Sequence, residues 1–372
     1  MEAEHGRAIA SLLEQRRRRL SLPDAALATE LAYGVLRRRA QLDYLVLQAS
    51  GRRRLPPDPQ VVTALRLGAY QLRFLDRIPP HAAVNESVNL VRRFGKSSAS
   101  GLVNALLRKL PPLPESWPDA PTRLSIPDWL LERWTSAWGQ SAAEAAAAAA
   151  LETPPVYARL PGSFGQPENA EKTELNGCYK FAGSPPARAR MQDISSQWAG
   201  SLLAVEPGQT VLDLCAAPGN KTAQAIESGP RLTVACDASP SRLRAMAESG
   251  WVRGARLVRL DASSPLPFGP VFDRILVDAP CSGTGTLARN PDIKWRLSPA
   301  GITRHAARQK SILSNALLCL KPGGRLVYST CSLEPEENQG EVAEAAPGRP
   351  VRRYTRLPGR DPGDGFQAAV IT

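Results

Sequence analysis

Thr210-Val211-Leu212-Asp213-Leu214-Cys215 runs straight into Ala216-Ala217-Pro218-Gly219-Asn220-Lys221-Thr222. An apolar run of strand length opens into a turn of small residues and then into a helix. Outward from this stretch, from Asp193 onward, strand-like and helix-like segments alternate, the pattern of a parallel sheet covered by helices. Strands are expected at 210–215, 231–237, 255–261, 272–278 and 324–330, and helices near 220–227, 239–249 and 303–320. The fold class is therefore α/β with a Rossmann-like sheet. In such a sheet the residues just past the carboxyl ends of the strands line the ligand crevice.

The small side chains from Cys215 to Gly219 let the backbone approach a ligand closely, and the helix start at Asn220 and Lys221 offers free N–H groups. The turn is neither Gly-x-Gly-x-x-Gly nor a phosphate loop, which disfavours a dinucleotide or a nucleoside triphosphate. Asp237, Asp261 and Asp278 end the second, third and fourth expected strands. A carboxylate after the second strand can accept both hydroxyls of a ribose, and one after the third can accept from an adenine amino group. S-adenosylmethionine presents those groups, and its sulfonium tolerates nearby acids. One strand-terminal aspartate is commonplace as a cap or turn residue. Three on successive strands, beside a small-residue turn, point to a cofactor.

Two cysteines lie near the ends of apolar runs: Cys281 in Asp278-Ala279-Pro280-Cys281-Ser282 and Cys331 in Ser329-Thr330-Cys331-Ser332. A thiol there, beside an acid, is placed to attack an electrophilic carbon. Carbon 5 of cytosine is too poor a nucleophile to take a methyl group directly. A thiolate adding to carbon 6 makes carbon 5 enamine-like, and loss of the carbon-5 proton and the thiolate restores the ring. The reaction needs a thiol, a group that hydrogen-bonds the N3/N4 edge, and assistance to release. Cys331, Asp278 and Cys281 can fill these roles, although chemistry alone leaves open which thiol attacks. Lys221 can help hold the thiolate or a cofactor carboxylate. Cys178, Cys236 and Cys319 read as small buried hydrophobes, and His5, His81 and His305 as core or surface residues.

The whole chain has 372 residues, room for two or three domains, with 47 Lys plus Arg against 35 Asp plus Glu. The excess is concentrated: residues 1–112 carry 19 basic and 9 acidic side chains, the remainder 28 and 26. A basic module joined to a near-neutral one suits a polyanion-binding part serving a catalytic part. Within residues 6–110, the segments 25–36, 61–75 and 82–93 carry apolar residues at helical spacing. Arginine clusters at 16–19, 37–39 and 52–54 fall at helix ends or in loops, within reach of phosphates. A proline-rich linker starts at Pro111, and residues 113–192 read as a linker with a small α/β subdomain. No regular structure is expected from Ala343 to Gly365. The six cysteines show no close Cys-x-x-Cys pair, so no disulfide frame and no metal site are expected, and a reducing compartment is implied. No signal peptide or membrane span is legible, so the expectation is a cytoplasmic protein, monomeric, acting on RNA and not on DNA or a membrane.

With these residues in view, 193–340 resembles the RNA (cytosine-5) methyltransferases. The resemblance rests on Asp213 to Gly219, Asp278-Ala279-Pro280-Cys281-Ser282-Gly283-Thr284-Gly285, Arg289 to Arg296, and Tyr328-Ser329-Thr330-Cys331-Ser332 with Glu336-Glu337-Asn338. Residues 6–110 resemble the NusB-type RNA-binding helical domain, through Tyr33 to Arg37, Leu67 to Leu72, Ile78 to Val88 and Leu102 to Arg108. The pairing is typical of RsmB-type enzymes that modify small-subunit rRNA. The resemblance implies a class I methyltransferase domain at 193–372 and a helical domain at 1–112. It further implies that Cys331 is the nucleophile, that Cys281 assists release, and that cofactor is held by Cys215, Ala216, Ala217, Pro218, Gly219, Asn220 and Lys221 with Asp237, Asp261 and Asp278. DNA cytosine methyltransferases use the Pro-Cys cysteine instead, and tRNA is the alternative substrate. A third reading, an RNA-binding assembly factor with a vestigial fold, is opposed by both thiols and all three acids. Asn220 stands where the family usually has a second glycine, and asparagine tolerates left-handed backbone.

Overall fold

The computed structural model describes residues 8–17, 19–160 and 165–372. His5 and Arg18 lie outside the described residues. The chain divides into two compact units, one running to Glu152 and including Leu287–Arg296, the other comprising Thr153–Thr286 and Leu297–Thr372.

In the first unit the described helices are α1 (Ile9–Arg17), α2 (Leu22–Arg37), α3 (Arg39–Ser50), α4 (Pro59–Phe74), α5 (Pro80–Arg93), α6 (Ser100–Arg108), α7 (Ala120–Leu124), α8 (Asp128–Trp138) and α9 (Gln140–Ala149). Their starts are written in the sequence. Ser21 caps α2 by accepting from the Asp24 N–H, and Asp58 caps α4 by accepting from Gln60 and Val61. Leu42, Leu45 and Val46 of α3, Val61, Ala64 and Leu65 of α4, Val91 of α5 and Val103 of α6 form the core. Helices α7–α9 belong to this unit, so the segment expected at 113–192 is divided near Thr153.

The arginines at 37–39 depart from expectation. Arg37 is buried and its guanidinium donates to Ala288 O at 3.0 Å, Arg38 lies over the Phe74 ring, and Arg39 lies over the Trp295 ring. Lys294, wholly buried, donates to Arg37 O at 2.9 Å, and Trp295 donates to Leu36 O at 2.6 Å. The Ala288 carbonyl and the Trp295 ring, far away in sequence, occupy Arg37 and Arg39, while the Phe74 ring occupies Arg38. Arg52, Arg53 and Arg54 are exposed, as a phosphate-reaching cluster requires.

The second unit opens with a small antiparallel sheet of β1 (Val156–Arg159), β2 (Ala170–Lys172), β3 (Cys178–Phe181) and β4 (Arg190–Met191), in the order β2-β3-β1-β4. After α10 (Ile194–Ser201) the alternating part follows: β5 (Thr210–Leu214), α11 (Asn220–Ile226), β6 (Leu232–Asp237), α12 (Pro240–Glu248), β7 (Ala255–Arg259) and β8 (Phe272–Asp278). The short α13 (Ile293–Arg296) falls within the first unit. The chain then adds α14 (Pro299–Leu317), β9 (Leu320–Thr330), α15 (Gln339–Ala345), β10 (Val351–Arg356) and β11 (Phe366–Ile371).

The large sheet has the order β10-β11-β9-β8-β5-β6-β7. Strands β5 to β9 are parallel, and β11 runs antiparallel to both β9 and β10. Leu212, Leu214, Ile275, Val277, Leu326 and Tyr328 meet Ile312, Leu313 and Ala316 of α14 in the main core. The five parallel strands lie where the apolar runs predict them. The edge strand β10 does not, since three of its six residues are arginines. A charged edge protects a sheet but hides the strand from a hydrophobicity reading.

Candidate active site

Strand β5 is buried throughout and is flanked by β6 on one side and β8 on the other. The connections change direction here, so a crevice opens past its carboxyl end. The chain leaves β5 through Cys215 at φ 65°, a cis Ala217-Pro218 bond and Gly219 at φ 101°. A Cβ on Gly219 would stand 2.9 Å from Met246 Cγ and 3.0 Å from Val252 Cγ1, so both backbone and neighbours require glycine. Asn220 opens α11, and its amide donates to Met191 O at 3.1 Å. The left-handed conformation anticipated for Asn220 is taken by Gly219, one residue earlier.

The acids differ in their surroundings. Asp237 is buried at the end of β6 and accepts from the Ala217 N–H at 3.3 Å and the Ser239 N–H at 2.9 Å. It also pairs with the exposed Arg242, which donates to Ala217 O. Asp261 follows β7, is about half exposed, and is held by the N–H and hydroxyl of Ser263 with Arg308 at 3.5 Å. The Ser263 bonds keep its carboxyl below the usual range. Asp278, ending β8, pairs with Lys221 Nζ at 2.7 Å and accepts from the Ser329 hydroxyl at 2.9 Å. Lys221 is buried and also lies over the Phe366 ring.

Cys281 and Cys331 come together: their sulfurs are 3.3 Å apart. Parallel pairing of β8 with β9 does this, since Asp278 lies opposite Ser329 and the loops leave the two strands side by side. The Cys331 contact and burial push the Cys281 thiol well up from its ordinary value. Burial pushes Cys215 up to about 12 and Cys236 up to about 12, and also raises Cys178 and Cys319.

Three parts of the arrangement carry no signal of their role in the sequence. Asp213, wholly buried within β5, accepts from Thr222 at 2.5 Å through one oxygen, and its other oxygen has no partner among the described residues. Burial pushes its carboxyl up to about 7. Ser329 braces Asp278. Glu337 accepts hydrogen bonds from the serines that follow the two cysteines, Ser282 and Ser332. The Glu336-Glu337-Asn338 triplet is visible in the sequence, but its partners are not.

These residues suit S-adenosylmethionine. The backbone from Cys215 to Gly219 is free of bulk, and carboxylates stand at the ends of β6 and β8. A ribose at Asp237 would take the place of Arg242, a side chain with solvent to move into. Among the described residues no group of His, Cys, Asp and Glu could hold a metal ion, and no helix is long and apolar enough to cross a membrane.

Comparison with known proteins agrees with this geometry. Residues 200–367 match the family model for 16S rRNA methyltransferase RsmB/F, and residues 2–111 match the NusB family. A probable ribosomal RNA small subunit methyltransferase B of Synechocystis is 34% identical over 360 residues, covering 87% of this chain and 81% of its own. Ribosomal RNA small subunit methyltransferase B of Erwinia tasmaniensis is 32% identical, covering 99% and 95%. Among solved structures, a methyltransferase homologue from Pyrococcus horikoshii shares the fold with a TM-score of 0.56 at 24% identity, covering 69% of this chain and 99% of its own.

Proposed function

The chain belongs to the RsmB/F family of 16S rRNA methyltransferases, with S-adenosylmethionine as its cofactor, and from that premise we propose that it methylates carbon 5 of a cytosine in small-subunit rRNA through a covalent bond from Cys331 to carbon 6. The observation that carries this reading is the pair of sulfurs at 3.3 Å, next to the Lys221–Asp278 pair. One thiol adds to carbon 6, and the second, in contact with it, is placed to assist its release.

The cofactor, when bound, supplies an electrophilic methyl group on a sulfonium. Cys331, as thiolate, forms the bond to carbon 6 and moves the ring's electron pair toward carbon 5, where the new carbon–carbon bond is made. Asp278, fixed by Lys221 and Ser329, is the group assigned to hydrogen-bond the N3/N4 edge of the ring as charge develops. Water then takes the carbon-5 proton, the electron pair of that C–H bond re-forms the 5,6 double bond, and the Cys331 sulfur leaves as the thiolate it began as. The family resemblance assigns addition to Cys331, and Cys281, in contact with it, is then the thiol placed to hydrogen-bond the departing sulfur in that last step. Exposed arginines at 52–54 fit the helical unit for contact with RNA phosphates.

The test is nucleoside analysis of small-subunit rRNA and tRNA after incubation with enzyme and methyl-labelled cofactor. Label in rRNA as 5-methylcytosine is expected. Label in a ribose, or in another base, would overturn the assignment, and label in tRNA alone would move the substrate.

A further inference from the structure

Resting on the reading of Cys331 and Cys281 as the reacting thiols, we propose that Glu337 is the positioning residue that sets the spacing between them. Each cysteine is followed by a serine, and both serine hydroxyls donate to the same carboxylate oxygen, Glu337 Oε2. The other oxygen accepts from the Ser282 N–H at 2.8 Å and from Gln309 Nε2 at 3.2 Å. Gln309 Nε2 also donates to Pro280 O at 2.9 Å, which fixes the residue before Cys281. Asn338 does the same around Cys331: it accepts from the Thr330 hydroxyl at 2.6 Å and donates to Ser332 O at 3.1 Å. Residues on both sides of both cysteines are thereby tied to Glu337, Asn338 and Gln309.

Glu337 is wholly inaccessible to solvent. Burial disfavours a carboxylate unless hydrogen bonds offset its lost hydration. Its donors are all neutral, and three of the four come from Ser282 and Ser332. What the carboxylate secures is the mutual position of two loops, one from β8 and one from β9, that must serve successive steps on one ring. An apolar side chain could fill the space but could not hold both hydroxyls.

Glu337→Gln keeps the volume and turns one oxygen into a donor facing other donors. Ser332→Ala removes one tether and leaves the carboxylate in place. Three measurements separate positioning from folding: affinity for S-adenosylmethionine, kcat and KM with rRNA, and the rate at which diamide joins Cys281 to Cys331, followed by the mass of alkylated peptides. With cofactor affinity and RNA KM near wild type, kcat should fall about 10- to 100-fold, and cross-linking should slow by a similar factor. Unchanged kcat with unchanged cross-linking overturns the proposal. A loss of cofactor affinity matching the loss of kcat in both variants also overturns it, since that marks a damaged fold. Should Glu337→Gln not fold, Ser332→Ala decides. If wild type methylates no cytosine, the functional reading fails, while the cross-linking rates still decide the role of Glu337.

Discussion

Asp213 shows how far one buried atom can shape the behaviour of this protein. Its carboxyl is pushed up to about 7 by burial, with the nearby Asp278 charge adding to the rise. An unfolded aspartate titrates near 3.9. Between those values the folded protein holds a proton that the unfolded chain has lost, so stability falls as pH rises from about 4 to 7, by roughly 1.4 kcal/mol per pH unit. Asp213→Asn keeps an acceptor for Thr222 and should flatten that dependence, read from thermal midpoints between pH 5 and 8. An equally steep slope in the variant would place the titration elsewhere. At this scale much of the candidate site is legible in the sequence, because Cys281, Cys331, Asp278 and Lys221 each sit in a compact motif. Asp213 reads there only as part of a strand. The reach of Glu337 is invisible because Ser282 and Ser332 become neighbours only when β8 pairs with β9.

Among the elements, the loops after β8 and β9 and the start of β11 are joined by backbone. Gly285 N–H donates to Cys331 O at 2.9 Å, and Gly365 N–H donates to Gly285 O at 2.8 Å. A Cβ on Gly285 would lie 2.3 Å from Gly365 O and 2.9 Å from Cys331 O, so main-chain atoms would have to move. Gly285→Ala should lower stability by about 1–3 kcal/mol. It should also reduce kcat although neither cysteine is changed, since the carbonyl of Cys331 is displaced. Denaturant unfolding and steady-state kinetics check both, and a variant with wild-type values in each would contradict the packing described. Strands β5 and β6 are legible because they are buried on both faces and read as apolar runs, whereas β7, at the sheet edge, is only partly buried. Strands β1 to β4 are two to four residues long and lie among prolines and glycines, too short for any period to register. Segment 287–296 reads by motif with the methyltransferase part, yet it packs in the helical unit, which no local pattern announces.

Over the whole molecule, the charge asymmetry gives a prediction that does not depend on the chemistry. Arg52, Arg53 and Arg54 are exposed and together in a loop of the helical unit. Removing one arginine from an RNA phosphate should reduce the slope of log affinity against log salt by about 0.7 to 0.9. Replacing all three with alanine should therefore flatten the salt dependence of RNA binding by up to about 2 to 3, with cofactor affinity unchanged. A slope equal to wild type would remove this loop from the RNA interface. The basic character of the first 112 residues is legible from composition, but which arginines remain available is not, because Arg37, Arg38 and Arg39 are engaged by carbonyls, a glutamine and aromatic rings. Turnover as proposed needs both thiols of the second unit: Cys331 bonds to the RNA, and Cys281 helps it leave. Wild type, Cys331→Ala and Cys281→Ala, each incubated with rRNA and cofactor and resolved on a denaturing gel, test it most directly. A covalent protein–RNA band that accumulates with Cys281→Ala and is absent with Cys331→Ala is the predicted result. A band that persists with Cys331→Ala would assign the attack to the other thiol and contradict the account.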